Sequence, residues 1–132
     1  MPRTKSGIKV KRVNSLAREL RREIENRFGY EFYIQVVSAV RDPETNTVVF
    51  YIAMAPSYVG NPFTHIEGIR AWDRFYMEIL VSPYIEDGKV KGWYVDSIVT
   101  NHATLHGDHY MNMVISTILT LALEKTARFL QG

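Results

Sequence analysis

The chain has 132 residues, 46% hydrophobic and 23% charged, a composition that fits one globular domain with a real core rather than a disordered segment. It contains no cysteine, which excludes disulfides, thiolate catalysis and cysteine-held zinc, so any metal must rest on His, Asp or Glu. The net charge of +2 hides an asymmetry: residues 1–12 carry Arg3, Lys5, Lys9, Lys11 and Arg12 with no acid, while the remainder is net acidic.

Residues 1–12 show no helical stripe and read as a basic flexible tail ahead of a single α+β domain over 13–132. No apolar segment follows the basic start, so no signal peptide is expected. The longest apolar run, YMNMVISTILTLAL, is too short for a bilayer span and contains Asn, Ser and Thr. The expected location is cytoplasmic (the host cytoplasm if the protein is viral), with no membrane partner. The missing cysteine and scarce glutamine suit a hot environment, as in archaea and their viruses.

Asn14 or Ser15 is placed to cap a first helix, in which Leu16, Ala17, Leu20, Ile24 and Phe28 form an apolar stripe. Arg18, Arg21, Arg22 and Glu25 take the opposite face, and Gly29 ends the helix. The period then changes to two. EFYIQVVSAVR puts Phe32, Ile34, Val36 and Val40 on one face, and TVVFYIAMA does the same for Val48, Phe50, Ile52 and Met54. The DPETNT between them is a turn signal, so these runs form a hairpin. After the long loop PSYVGNPFTHIEGIR, a third strand turns Phe75, Met77, Ile79 and Val81 inward and Trp72, Arg74, Tyr76 and Glu78 outward. Asp87-Gly88 marks a second hairpin turn, and GWYVDSIV is the fourth strand. A helix from about Asp108 to Phe129, apolar nearly all round in its first half, closes the chain. The expected fold is a two-layer α+β sandwich: N-terminal helix, four-stranded antiparallel meander and long buried C-terminal helix, with both helices on one face.

NHATLHGDHY, residues 101–110, holds most of the histidine. On a helix, His102, His106 and His109 would share a face able to offer nitrogens to zinc, with Asp108, or His65 and Glu67, completing the set. Gly107 interrupts such a helix, and Asp108 suits the N-cap of the helix that follows. The expectation is therefore a polar loop with partly exposed histidines and no bound cofactor, zinc being the alternative. The start of the buried helix also offers backbone N–H groups to an anion, with His106 or His109 able to move a proton near neutral pH.

TNHATLHGDHYMNMVISTILTLAL resembles the active-site segment of hotdog-fold acyl-CoA thioesterases, in which Asn, then Leu-His-Gly-Gly, leads into a buried helix. The matching residues are Asn101, Leu105, His106 and Gly107. The resemblance implies thioester hydrolysis, with the Gly107 N–H polarising the carbonyl and Asn101 beside the attacking water. Asp108 stands where the family has its second glycine, and the family's acidic residue along the helix is missing. The family also places strands after this helix, so the resemblance implies a circularly permuted version of the fold.

The outward strand positions include Tyr33, Tyr51, Trp72, Tyr76 and Tyr94, with Arg41 and Arg74. Rings on which bases stack, interleaved with cations for phosphate, are the chemistry of single-strand nucleic-acid binding. The basic tail with Arg18, Arg21 and Arg22 adds the electrostatic footprint of such a binder. The same aromatic face is equally suited to a homodimer. The expected function is a small DNA- or RNA-binding protein, dimeric through its sheet or a helix, with the enzyme question open and the reading leaning against it. The alternatives are a small enzyme centred on residues 102–109, metal-dependent or thioesterase-like, and a structural or assembly protein.

Overall fold

In the computed structural model, which describes residues 11–57, 75–101 and 109–130, five antiparallel strands lie side by side in chain order and two helices pack on one face. The elements are β1 (Lys11–Arg12), α1 (Asn14–Phe28), β2 (Phe32–Asp42), β3 (Thr47–Pro56), β4 (Phe75–Glu86), β5 (Lys89–Thr100) and α2 (His109–Phe129). The α+β arrangement is as expected, but the sheet has five strands rather than four. The additional strand is β1, at the end of the stretch expected to be tail: Lys11 pairs with Arg41 and Arg12 with Val40. Two residues cannot display a period, so the strand is set by the open edge of β2 and not by its own pattern.

That edge also starts α1. The Val13 N–H donates to the Ala39 carbonyl at 2.9 Å, and the Val13 carbonyl accepts the Ala17 N–H at 3.0 Å. Val13 occupies the cap position with no side-chain cap, so neither Asn14 nor Ser15 serves as expected. Strand pairing fixes where this helix begins. At the other end Gly29 stays right-handed, and a Cβ there would lie 2.5 Å from the Glu25 carbonyl oxygen. Glycine is needed for close approach, not for a left-handed turn.

The β2–β3 hairpin turns through Asn46, at φ 63°, whose N–H donates to the Asp42 carbonyl at 2.7 Å. The Asp42 carboxylate accepts the Glu44 N–H at 2.9 Å, an Asx turn. The β4–β5 hairpin turns through Asp87 and Gly88, at φ 55° and 75°, the paired left-handed geometry that Asp-Gly favours.

One bulge corrects the expected faces of β2. Ile34 pairs with Met54 and Val36 with Ala53, so Gln35 is the extra residue and the alternation flips. Phe32 and Ile34 are buried as expected, but beyond the bulge Ala39 and Val37 turn inward. Val36 and Val40, expected inside, fall on the other face; Val36 is 47% exposed. The buried side carries Val48, Phe50, Ile52 and Met54 from β3 and Met77, Ile79 and Val81 from β4, all without solvent exposure. Leu16, Leu20 and Ile24 of α1 and Met111, Val114 and Ile118 of α2 complete one continuous core. Burial of this apolar surface is the dominant favourable term in folding.

Ion pairs also cross between the two helices. The buried Lys125 of α2 reaches Glu23 Oε2 at 3.3 Å and Glu19 Oε2 at 3.6 Å on α1. Arg22 also pairs with Glu19, and this hydrogen bond first, with the charges of Arg22 and Lys125 adding to it against desolvation, holds the Glu19 carboxyl below its usual range.

Candidate interaction surface

Residues directly opposite one another in an antiparallel pair share a face, so the register assigns the side of the sheet turned away from the helices. Crossing from β1 towards β5, one row reads Arg12, Val40, Val49, Leu80 and Ser97. The next row reads Ser38, Tyr51, Glu78 and Val99, and the one beyond it Val36, Ala53 and Tyr76, with Asn101 at its end. Tyr33 opposite Ala55 lies further along β2 and β3, and Tyr94 opposite Ser82 further along β5 and β4. An antiparallel sheet with one solvated face usually carries polar side chains there; here Tyr33 is 68% exposed, Val99 55%, Val36 47% and Tyr94 46%.

The polar groups on this face are few and partly tied to it. The Tyr51 hydroxyl bonds Glu78; burial first, and then the negative charge of Glu78, push this phenol above its ordinary range. Tyr76 is raised for the same two reasons. Both phenols are therefore neutral donors at physiological pH. Ser82 Oγ donates to Asp96 Oδ2 at 3.0 Å, which holds that carboxylate on the outer side. Within these rows Arg12 is the one cation, set against Glu78 and Asp96, while Asp42 lies at the turn end of β2.

The outer edge of the sheet, β5, is shaped differently. Register shifts make Asp96 and Lys91 extra residues in its ladder with β4. Two bulges with charged residues are the usual device that keeps an edge strand from pairing with another chain.

The residues expected to bind nucleic acid are distributed unlike the expectation. Tyr33, Tyr51 and Tyr76 do share the outer face, but Arg41 does not. Arg41 stands opposite Val48, on the helix side, and its guanidinium bonds Asn46 Oδ1. Phase is the reason, since the Gln35 bulge reversed every later residue of β2. Arg22 pairs with Glu19, Arg21 with Glu25 at 3.2 Å, and Arg27 with Glu23 at 3.8 Å, so acids at helical spacing offset most of the basic face of α1. Arg21 also donates to the Ile34 carbonyl at 2.8 Å, beside the bulge. Lys11, Arg12 and Arg18 are exposed. Arg3, Lys5, Lys9, Trp72 and Arg74 lie outside the described residues.

Of the histidine segment, His102, His106, Gly107 and Asp108 lie outside the described residues, as does His65. His109 is exposed at the first turn of α2. Among the described residues no group of three or more His, Asp or Glu could hold a metal. Asn101 extends the β4–β5 ladder: its Oδ1 accepts the Tyr76 N–H at 2.8 Å, and its own N–H donates to the Tyr76 carbonyl at 3.4 Å. That amide oxygen is engaged by backbone. Among the described residues no helix is long and apolar enough to cross a membrane.

The sequence pattern placed Val36 and Val40 in the core, and it left Val49, Leu80 and Val99 outward without marking them as part of a surface. Their apolar character hid them, because an apolar residue in a strand is assigned to the core by default. Comparison with protein-family models, with curated proteins and with solved structures finds no match.

Proposed function

We propose that this chain is a structural or assembly protein that associates with a second copy of itself across the outer sheet face. The observation that carries the reading is the exposure of Tyr33, Val36, Tyr94 and Val99 on a face where Arg12 is the single cation of the central rows. A base-stacking platform needs cations beside its rings to take the phosphates, and Arg41 is turned away. Aliphatic residues interleaved with tyrosine, and few charges, are the composition of a protein–protein interface core. Light scattering coupled to size exclusion tests this on the full chain. The wild type is expected as a dimer, and Val36→Lys with Val99→Lys as a folded monomer. A wild-type monomer at high micromolar concentration overturns the reading.

Nucleic-acid binding is a second reading, favoured by a separate observation. Lys11 and Arg12 are both exposed where the basic N-terminal stretch meets the sheet edge, with Arg18 exposed nearby in sequence. Here the basic N-terminal stretch supplies cations to the phosphates, and among the described residues the central rows of the sheet face add only Arg12. Replacing Arg3, Lys5 and Lys9 by Ala, which spares β1, is expected to lower the salt dependence of duplex binding by about 0.9 for each phosphate left without its cation. Fluorescence anisotropy across a salt series measures it, and an unchanged slope removes the tail from the binding surface.

A further inference from the structure

We infer that the second copy packs face to face about a two-fold axis parallel to the strands and centred over β3, with Arg12 of each chain meeting Asp96 of the other. This rests on the proposed self-association and specifies its geometry. Edge-to-edge pairing through β5 is disfavoured by the charged bulges at Lys91 and Asp96, whereas the outer face presents the exposed Tyr33, Val36, Tyr94 and Val99.

The charges on the face then favour this axis. Rotation about an axis along the strands keeps each row in place and reverses strand order, so β1 covers β5, β2 covers β4, and β3 covers itself. In the first row Arg12 comes over Ser97 and the neighbouring Asp96, Val40 over Leu80, and Val49 over its own counterpart. The second row puts Ser38, a hydroxyl donor, over Glu78. In the third, Val36 meets Tyr76, and the small Ala53 meets itself where the two sheets must approach. No like charges of these rows coincide.

Three alternative axes place like charges opposite one another. An in-plane axis perpendicular to the strands keeps each strand over itself, so it sets Glu78 on Glu78 when centred on the second row. Centred on the first row, it sets Arg12 on Arg12. Moving the strand-parallel axis to β4 again superposes Glu78 on Glu78. Like charges placed directly opposite suppress a wrong pairing.

The distances are compatible. Packed sheets lie about 10 Å apart and cross at about 30°, and β1 lies about 10 Å from β3 at the usual strand spacing. The crossing displaces Arg12 from its row by about 5 Å, a shift that a flexible arginine side chain can span.

Charge exchange between chains tests the geometry. Arg12→Glu and Asp96→Arg are each expected to weaken dimerisation about tenfold, because both symmetry-related pairs become repulsive at once. Mixing the two variants restores both pairs in a heterodimer, so association of the mixture is expected within about threefold of wild type. The double variant on one chain is expected to recover likewise. Sedimentation velocity gives the dissociation constants, and circular dichroism shows that each variant is folded. If wild type dimerises but the mixture stays as weak as the single variants, or neither single variant weakens it, this geometry is wrong and self-association stands. If wild type is monomeric, both ideas fall.

Discussion

The sheet of this protein has two faces built from the same strands, and they end in opposite states. On β3, Phe50 and Ile52 are shut off from water beneath the helices, while Val49 and Tyr51, which alternate with them, lie on the other side, only partly covered. On β5, Val99 stands 55% exposed although a polar residue would serve an isolated chain as well there. Alternation by itself explains one apolar face. A second apolar face, rich in tyrosine and aliphatic side chains, is only partly covered in a lone molecule and gains more in a complex, where its remaining area leaves water.

The largest effect should separate the two faces directly. Phe50→Ala is expected to cost about 3–5 kcal/mol in urea unfolding, as full truncation of a buried aromatic does. The neighbouring Tyr51→Ala is expected to cost clearly less when measured below the dimer dissociation constant. Equal losses in that dilute regime would mean that the outer face is as fully packed within one chain as the inner.

A smaller effect concerns the charge on the covered side. Lys125 is 5% exposed between Glu19 and Glu23. Lys125→Met keeps the buried stem, and Arg22 and Arg27 still hold the two carboxylates, so stability is expected within about 1 kcal/mol of wild type. Lys125→Ala removes the stem as well and is expected to cost about 2 kcal/mol. Thermal unfolding compares them; a large loss in the Met variant would mean that the ion pairs, not the packing, join the helices.

How much of this was legible in the sequence follows from which residues repeat. The helical stripe of Leu16, Leu20 and Ile24 and the strict alternation of Val48 to Met54 identified their buried faces because no other period fits them. EFYIQVVSAVR was ambiguous, since Val36, Val37, Ala39 and Val40 are all apolar and either phase can be read. The Gln35 bulge chose between them, and a bulge is a property of pairing with β3 that one strand does not announce. The Arg–Glu pairs of α1 were legible from their spacing, yet counting cations alone made that face seem basic. β1 and the Val13 helix start depend on the edge of β2, which sequence periodicity cannot express.

The smallest expected effect is a pH dependence on the helix side. Glu19 is held below the ordinary carboxylate value of 4.5 by the hydrogen bond and charge of Arg22 and by Lys125. A depressed folded pKa contributes stability that is complete above the unfolded value and is lost as pH falls through the folded one. Glu19→Gln should therefore narrow the stability difference between pH 7 and the acid range, with no change in the oligomeric state at pH 7. Urea midpoints across that range measure it, and an unaltered acid response would show that the Glu19 pairs do not couple to folding.

The difference between the two faces is tested most directly by sedimentation equilibrium of the full wild-type chain over a concentration series. A mass rising from one chain to two, and stopping there, is the expected result for a face that pairs with its own copy. A single-chain mass at every concentration would contradict it.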